Sequence, residues 1–247
     1  MDENKTWQKL AAEFLGTAFL VFIGVGTPQM ATGWHGVPFE KPLDRLRDYT
    51  RVMRRVFDGE ALQYEGEVIS VAPLGIAVRE RPVQEHLPIG IGAMIPPSIR
   101  LTAELGDYWY AQAIPVSALA EAVTAFRAQV SAAGRSPNSV QIKSPGLTIA
   151  TAENVEELRF ARARYNAYAF RHLKALHRRL ELMGHGDLVP RIDEAWQAGG
   201  SRKAGALFLE ELGDEIDFVG TPEACVERLD RQAAAGIDLH AIQVVAP

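Results

Sequence analysis

The sequence of 247 residues is poor in the side chains that build metal centres and covalent cross-links, with one cysteine, Cys225, and six histidines. A single cysteine excludes an intrachain disulfide framework and any metal or iron–sulfur site made of several thiolates. The histidines show neither His-x-x-x-His nor His-x-Glu spacing, so the sequence predicts no zinc centre. Cys225 falls within a helical pattern, and we expect it to be a small core residue.

Positive charge is also in the minority, because 26 Lys and Arg stand against 31 Asp and Glu, which gives a formal net charge of −5. Without a global basic field we expect no nucleic-acid partner. The scarcity of cysteine is typical of a reducing, cytoplasmic environment.

Long apolar runs are scarce, with one exception near the N-terminus. From Leu10 to Gly26 the only charged residue is Glu13. A membrane-spanning helix needs about 20 mostly apolar residues, and glycines from Gly24 onward dilute this run. Two interpretations stay open: a short buried helix that runs into a strand at Phe22–Gly26, or a membrane anchor formed by residues 9–26.

After residue 40, helix-like and strand-like patterns alternate. Helical spacing or end signals predict helices at Pro42–Glu60, Pro96–Leu105, Val116–Ala133, from Thr151 past Phe170, Asp187–Gln197, Arg202–Leu212, and from Thr221 to Gly236. Strands are predicted at Tyr64–Val71, Leu87–Met94, Asp107–Ala111, Val140–Ala150 and His240–Val245. This alternation predicts a parallel α/β fold.

Three stretches, residues 24–60, 87–110 and 218–245, together resemble the luciferase-like monooxygenase family, in particular its branch that depends on the deazaflavin coenzyme F420. The resemblance covers residues 23–247 and implies a (β/α)8 TIM-type barrel with its active site at the carboxyl ends of the strands. The chain would supply about strands 4–8, with Ile23–Thr27 as the fourth, and would lack the first three βα units.

The preceding run, Lys9–Thr27, resembles instead the first transmembrane helix of the aquaporin (major intrinsic protein) family. The chain has no Asn-Pro-Ala motif and no second apolar run of that length, so a water or glycerol pore is not expected. The predicted organisation is an apolar leader helix at residues 1–22, followed by a partial barrel domain at residues 23–247.

The resemblance implies that a first coenzyme-binding turn follows the fourth strand. Gly24 and Gly26 would let a planar ring lie against the backbone, and Thr27 would hydrogen-bond the polar edge of that ring. Trp34 would form an apolar wall, and His35 would be the catalytic proton donor or a polar anchor. The alternative is a loop tryptophan that packs on the following helix, with His35 in solvent.

A second turn, formed by Gly92, Ala93, Met94, Ile95 and Pro96, follows a strand and opens a helix. Free backbone N–H groups at a helix N-terminus favour an anion, and the resemblance implies contact with the coenzyme near its phosphate-bearing side chain. Ile95 stands where the family more often has glycine. The alternative is a tight turn between strand and helix with no ligand.

Side chains of the following helices offer weaker candidates. The spacing of four basic residues predicts one helical face that would attract the anionic tail of the coenzyme or, alternatively, would only be solvated; they are Arg164, Arg171, Lys174 and Arg178. Three aromatic residues nearby would rim a substrate pocket or pack in the core; they are Tyr165, Tyr168 and Phe170.

The resemblance implies an oxidoreductase in which bound F420, or alternatively FMN, exchanges hydride with a small organic substrate or supports its monooxygenation. The coenzyme performs the chemistry, and the protein positions and shields it. The alternatives are a non-catalytic truncated or fused remnant, or a partner subunit. A homodimer would cover an open sheet edge, and the location would be cytoplasmic unless residues 9–26 enter a membrane.

Overall fold

The computed structural model describes residues 40–73, 84–144 and 146–245. The predicted leader helix and the first coenzyme-binding turn, with Gly24, Gly26, Thr27, Trp34 and His35, lie outside the described residues. The chain divides into two compact units, residues 1–42 and residues 43–247. The elements described from Leu43 onward belong to the second unit.

Seven helices account for most of the regular structure in the described ranges. They are α1 (Pro42–Phe57), α2 (Pro96–Leu105), α3 (Leu119–Ala132), α4 (Val155–His172), α5 (Lys174–Leu182), α6 (Leu188–Leu212) and α7 (Pro222–Ala234). A 3-10 turn at Val116–Ala118 leads into α3. The predicted helices therefore form, although the helix predicted from Thr151 past Phe170 ends at His172, and α5 follows it as a separate helix.

The strands are short. They are β1 (Tyr64–Glu65), β2 (Ser70–Val71), β3 (Gly90–Gly92), β4 (Tyr108–Tyr110), β5 (Gln141–Lys143), β6 (Leu147–Ile149), β7 (Phe218–Gly220) and β8 (Ile242–Val244). β1 and β2 form an antiparallel pair, whereas β3, β4 and β5 form one parallel sheet and β7, β6 and β8 form another. The predicted parallel α/β fold is confirmed, and a barrel stays a prediction.

The segment predicted as one strand at Val140–Ala150 joins the two parallel sheets. It forms β5 beside β4, and then β6 between β7 and β8. Lys143 also forms a parallel bridge to Leu239, just before β8. The chain from Leu239 to Val244 therefore runs parallel first to the end of β5 and then to β6. The sequence analysis does not predict β7, because only three residues precede the helix signal at Thr221 and Pro222.

Two apolar clusters hold these elements together. The first lies between the β3–β4–β5 sheet and the helices α2 and α3, where the Trp109 and Phe126 rings lie 4.4 Å apart between centroids. The second lies among α4, α5 and α6, where the Phe170 and Phe208 rings lie 5.3 Å apart. Burial of apolar surface is the main term that stabilises both clusters.

Helix ends follow the signals in the sequence. Thr221 caps α7, since its side chain accepts a hydrogen bond from the Ala224 N–H at 3.5 Å, and Pro222 follows it. Gly236, with φ of +90°, ends the same helix in a conformation that favours glycine. Inside α6, Gly199 and Gly200 are non-helical, as the gap between the two predicted helices indicates.

Cys225 is 1% exposed, and its thiol lies 3.5 Å from the Gly220 carbonyl oxygen. Burial raises the pKa of this thiol, which opposes thiolate chemistry. The prediction of a core residue is confirmed. In the described part of the chain, no helix combines the length and apolar character needed to span a bilayer.

Candidate functional site at the carboxyl edge of the parallel strands

The two faces of the β3–β4–β5 sheet differ in character. Side chains that alternate along the strands, such as Trp109 and Ile142, are buried against the helices. The other face carries two glycines, two tyrosines and two long polar side chains; they are Gly90, Gly92, Tyr108, Tyr110, Gln141 and Lys143. The Lys143 ammonium lies 4.6 Å from the centroid of the Tyr110 ring. This face is therefore polar and aromatic rather than aliphatic.

Gly90 and Gly92 lie on the same face of β3 but in different surroundings. A Cβ atom at Gly90 would overlap the Tyr110 ring, so packing requires glycine there. A Cβ atom at Gly92 would meet no atom of the described residues within 4 Å, and Gly92 is exposed at the carboxyl end of the strand. The bare backbone at Gly92 therefore borders open space that a planar group could occupy.

The turn that follows Gly92 is fixed by three hydrogen bonds. The carbonyl oxygen of buried Ala93 accepts from the Trp109 indole N–H at 3.0 Å. Ile95 is the N-cap residue of α2, with extended backbone at φ −115° and ψ 152°. Its carbonyl oxygen accepts from the Ser98 hydroxyl at 2.9 Å and from the Ile99 N–H at 3.0 Å. The structure thus gathers the predicted residues, from Gly92 to Pro96, in one rigid turn; their contact with a coenzyme stays a prediction.

A second turn at this edge follows β4. Ala113 has φ of +51°, a left-handed conformation that is strained for a residue with a Cβ atom. Its carbonyl oxygen accepts a hydrogen bond from Arg179 Nε at 3.1 Å, and Arg179 Nη1 lies 3.5 Å from the Met94 carbonyl oxygen. Strained backbone is concentrated at functional sites more often than elsewhere.

The contacts of Arg179 bring α5 against the carboxyl ends of β3 and β4. Met94 and Ala113 also pack against the apolar cluster of the helical region. The sequence analysis missed Arg179, because it is one of several basic residues in this region and nothing in its spacing distinguishes it. Only the fold brings it to the strand ends.

The four basic residues proposed from the sequence do not share a helical face. The helix breaks at Leu173, where φ is −99° and ψ is 106°, and Lys174 begins α5. The other three have partners: Arg164 donates to Ser201 at 2.9 Å, Arg171 to Asp193 at 2.7 Å and Arg178 to Glu181 at 2.8 Å. The prediction of a single basic face is therefore wrong.

The three nearby aromatic residues differ in exposure. Tyr165 and Tyr168 are 60% and 52% exposed, whereas Phe170 is 2% exposed and belongs to the helical core. Phe170 therefore cannot rim a pocket. The role proposed for the two tyrosines stays a prediction.

The amino edge of the same sheet is built from carboxylates. Asp107 accepts from the Ile89 N–H at 2.8 Å, lies 3.1 Å from the His86 ring and pairs with Arg54. Burial acts to raise the pKa of Asp107, but these hydrogen bonds and the Arg54 charge outweigh it, so the pKa lies below its ordinary value. An exposed groove of about 430 Å³ lies on this side, between α1 and Leu105.

A buried polar atom near the carboxyl end of β6 has no hydrogen-bond partner among the described residues. The Asn154 side-chain oxygen, at the start of α4 after β6, is buried without a hydrogen bond. No group of three or more His, Cys, Asp or Glu side chains arranged to hold a metal ion occurs in the described ranges.

Comparison with known proteins assigns the chain to a family. The model of the luciferase-like monooxygenase family matches residues 18–239. The match covers most of the chain, and the chain belongs to this family. A Mycobacterium tuberculosis relative, whose name describes a coenzyme F420-dependent oxidoreductase, is 23% identical over 252 aligned positions, which cover 92% of this chain and 70% of the relative.

A shorter match is closer in sequence. The 5,10-methylenetetrahydromethanopterin reductase of Archaeoglobus fulgidus is 35% identical over 88 residues, which cover 34% of this chain and 25% of that protein. The match indicates local similarity and does not extend over the whole domain.

Solved structures share the fold. The F420-dependent tetrahydromethanopterin reductase from Methanopyrus kandleri superimposes with a TM-score of 0.67 at 19% identity, over 82% of this chain and 57% of that one. A riboflavin lyase bound to modified FMN gives a TM-score of 0.63 at 18% identity, over 89% of this chain and 57% of that one. The chain thus spans 57% of the length of each of these two solved proteins.

Proposed function

We propose that the chain is an oxidoreductase that binds coenzyme F420, with FMN as the alternative, and exchanges hydride with a small organic substrate. The observation that carries the proposal is the open backbone at Gly92, which ends β3 at the carboxyl edge of a parallel sheet in a luciferase-like protein. The names of the relatives support F420, and the riboflavin lyase bound to modified FMN supports the alternative.

The residues at this edge suit a planar coenzyme. Gly92 presents backbone with no side chain, and the tyrosine-bearing face below it is half-buried. When bound, the deazaflavin ring would supply the hydride chemistry. The chain would hold the coenzyme against Gly92 and limit access of water through the helices that pack on Met94 and Ala113.

A second candidate function is coenzyme binding without turnover, as a non-catalytic remnant or partner subunit. The turns from Gly92 to Ile95 and from Ala111 to Ile114 contain no acid, base or nucleophile. The proposed proton donor, His35, lies outside the described residues. Cytoplasmic location and a homodimer complete the proposal and await direct tests.

Titration of the purified protein with F420, and separately with FMN, tests the proposal. We expect quenching of protein fluorescence at micromolar coenzyme, and oxidation or reduction of bound F420 when a small alcohol or aldehyde substrate is supplied. Binding without turnover over a broad substrate panel would support the second candidate. Absence of binding of both coenzymes at tens of micromolar would remove both candidates.

A further inference from the structure

Arg179 differs in its partners from three other arginines of the helical region. Arg171, Arg178 and Arg191 each pair with a carboxylate. None of the ion pairs in the described part of the chain includes Arg179, whose contacts are the carbonyl oxygens of Ala113 and Met94. Its positive charge is therefore balanced only by main-chain dipoles.

Burial makes this arrangement costly. Arg179 is half-buried, and burial alone lowers the pKa of its guanidinium, with no acidic group acting in the opposite direction. A charge that is removed from water is stabilised by a partner of opposite sign, and without one its partial burial is unfavourable. Two carbonyl oxygens offset part of that cost, and an anion would offset more.

The position of Arg179 is also unfavourable for a cation whose only role is structural. It lies beside Met94, next to the N-terminal end of α2, where the helix dipole favours negative charge. Arg135 provides the contrast, because it donates to the Ala103 and Gly106 carbonyl oxygens at the opposite end of α2, where a cation is favoured.

The guanidinium retains capacity for a further ligand. Its Nε and Nη1 atoms contact the two carbonyl oxygens, and its Nη2 atom has no partner among the described residues. A planar guanidinium with free N–H groups is suited to bind phosphate oxygens.

We propose that Arg179 binds the phosphate group of the coenzyme and so distinguishes phosphate-bearing coenzymes from their phosphate-free ring analogues. This inference rests on the proposed function. The carbonyl oxygens of Ala113 and Met94 hold the guanidinium at the strand ends. Met94 lies two residues after Gly92 in the chain, where the backbone is open. The bound coenzyme would thus contact the chain at Gly92 and, with its phosphate, at Arg179.

The test compares coenzyme pairs that differ only in the side chain beyond the ring system. F420 and its phosphate-free deazaflavin analogue form one pair, and FMN and riboflavin form the other. Dissociation constants are measured by fluorescence quenching for the wild type and for Arg179→Met, Arg179→Lys and Arg178→Met. The Arg178 variant is the matched control, because it removes one positive charge from the next position, where the side chain is 59% exposed and paired with Glu181.

The wild type should bind the phosphate-bearing member of a pair more tightly. Arg179→Met should weaken that binding about 10- to 100-fold, the loss expected for a charge-assisted hydrogen bond, and should leave binding of the phosphate-free member unchanged. Arg179→Lys should retain part of the preference, and Arg178→Met should retain all of it. Thermal unfolding of each variant shows whether it is folded.

Several results would overturn the inference while the proposed function stands. The first is equal affinity of the wild type for both members of a pair. The second is an unchanged preference in Arg179→Met. The third is an equal loss of affinity for both members in a folded variant, which would show that Arg179 only stabilises the turn. If Arg179→Met fails to fold, the preference of Arg179→Lys decides in the same way. Failure of the wild type to bind F420 and FMN at all would overturn the inference together with the proposed function.

Discussion

The amino edge and the carboxyl edge of the β3–β4–β5 sheet use charge in opposite ways. At the amino edge, Asp107 accepts the Ile89 N–H and pairs with Arg54, and Asp238 accepts the Ile142 N–H and pairs with Arg127. Each carboxylate there is satisfied by the chain itself. At the carboxyl edge the turns contain no charged residue, and the partners of Arg179 among the described residues are main-chain carbonyl oxygens.

This difference suggests how stability and ligand binding are separated in the fold. Networks in which every charge has a partner stabilise the folded state and offer little to a ligand. Bare backbone and an incompletely paired cation contribute less to stability and leave groups free for binding. In α/β barrels the carboxyl ends of the strands carry the active site and the amino ends contribute stability. Variants at the amino edge should therefore change the free energy of unfolding, and variants at the carboxyl edge should change the affinity for the coenzyme.

The largest effect on stability is expected at Asp107. Asp107→Ala removes the partner of Arg54 and of the Ile89 N–H and leaves both of them partly buried. The free energy of unfolding should fall by about 3 kcal/mol, measured by urea denaturation. Glu104→Ala, at an exposed position of α2, is the control and should change it by no more than about 0.5 kcal/mol.

Coenzyme affinity of folded Asp107→Ala should equal that of the wild type. A variant that kept its stability and lost coenzyme affinity would reverse the roles assigned to the two edges and would point to the groove between α1 and Leu105 as the binding site.

A smaller effect on the free energy of unfolding is expected when the pH is lowered. The pKa of Asp107 is lowered in the folded state, so its contribution to stability is fully present above the unfolded value of about 4 and is lost as the pH falls through the folded pKa. Asp107→Asn should therefore differ most in stability from the wild type near neutral pH, and the difference should shrink as the pH falls below about 4. A difference that stays constant over this range would show that the charge of Asp107 is not what stabilises the amino edge.

Much of the fold could be predicted from local signals. Pro42, Pro96 and Pro222 begin helices, and Gly134 and Gly236 follow helix ends with positive φ. The strands after residue 80 were predicted where the chain has short apolar runs, although they form over fewer residues. β7 was missed, because its three residues carry no period of their own and depend on pairing with β6.

The site was only partly predictable. The turn from Gly92 to Pro96 follows from a strand that ends in glycine before a proline-led helix, and the structure gathers these residues. Arg179 could not be predicted, because its role depends on the break at Leu173 and on the packing of α5 against two strand ends. The same break separates the basic residues that a continuous helix would have aligned on one face.

The most direct test is the affinity of Gly92→Val for F420. A Cβ atom there would meet no atom of the described residues within 4 Å, so the free energy of unfolding of Gly92→Val should stay within about 0.5 kcal/mol of the wild type. Gly90→Val, on the same face, would overlap the Tyr110 ring and should lose about 1–3 kcal/mol. If the coenzyme lies against Gly92, Gly92→Val should bind F420 at least about tenfold more weakly. Wild-type affinity in a folded Gly92→Val variant would contradict a coenzyme site at this edge.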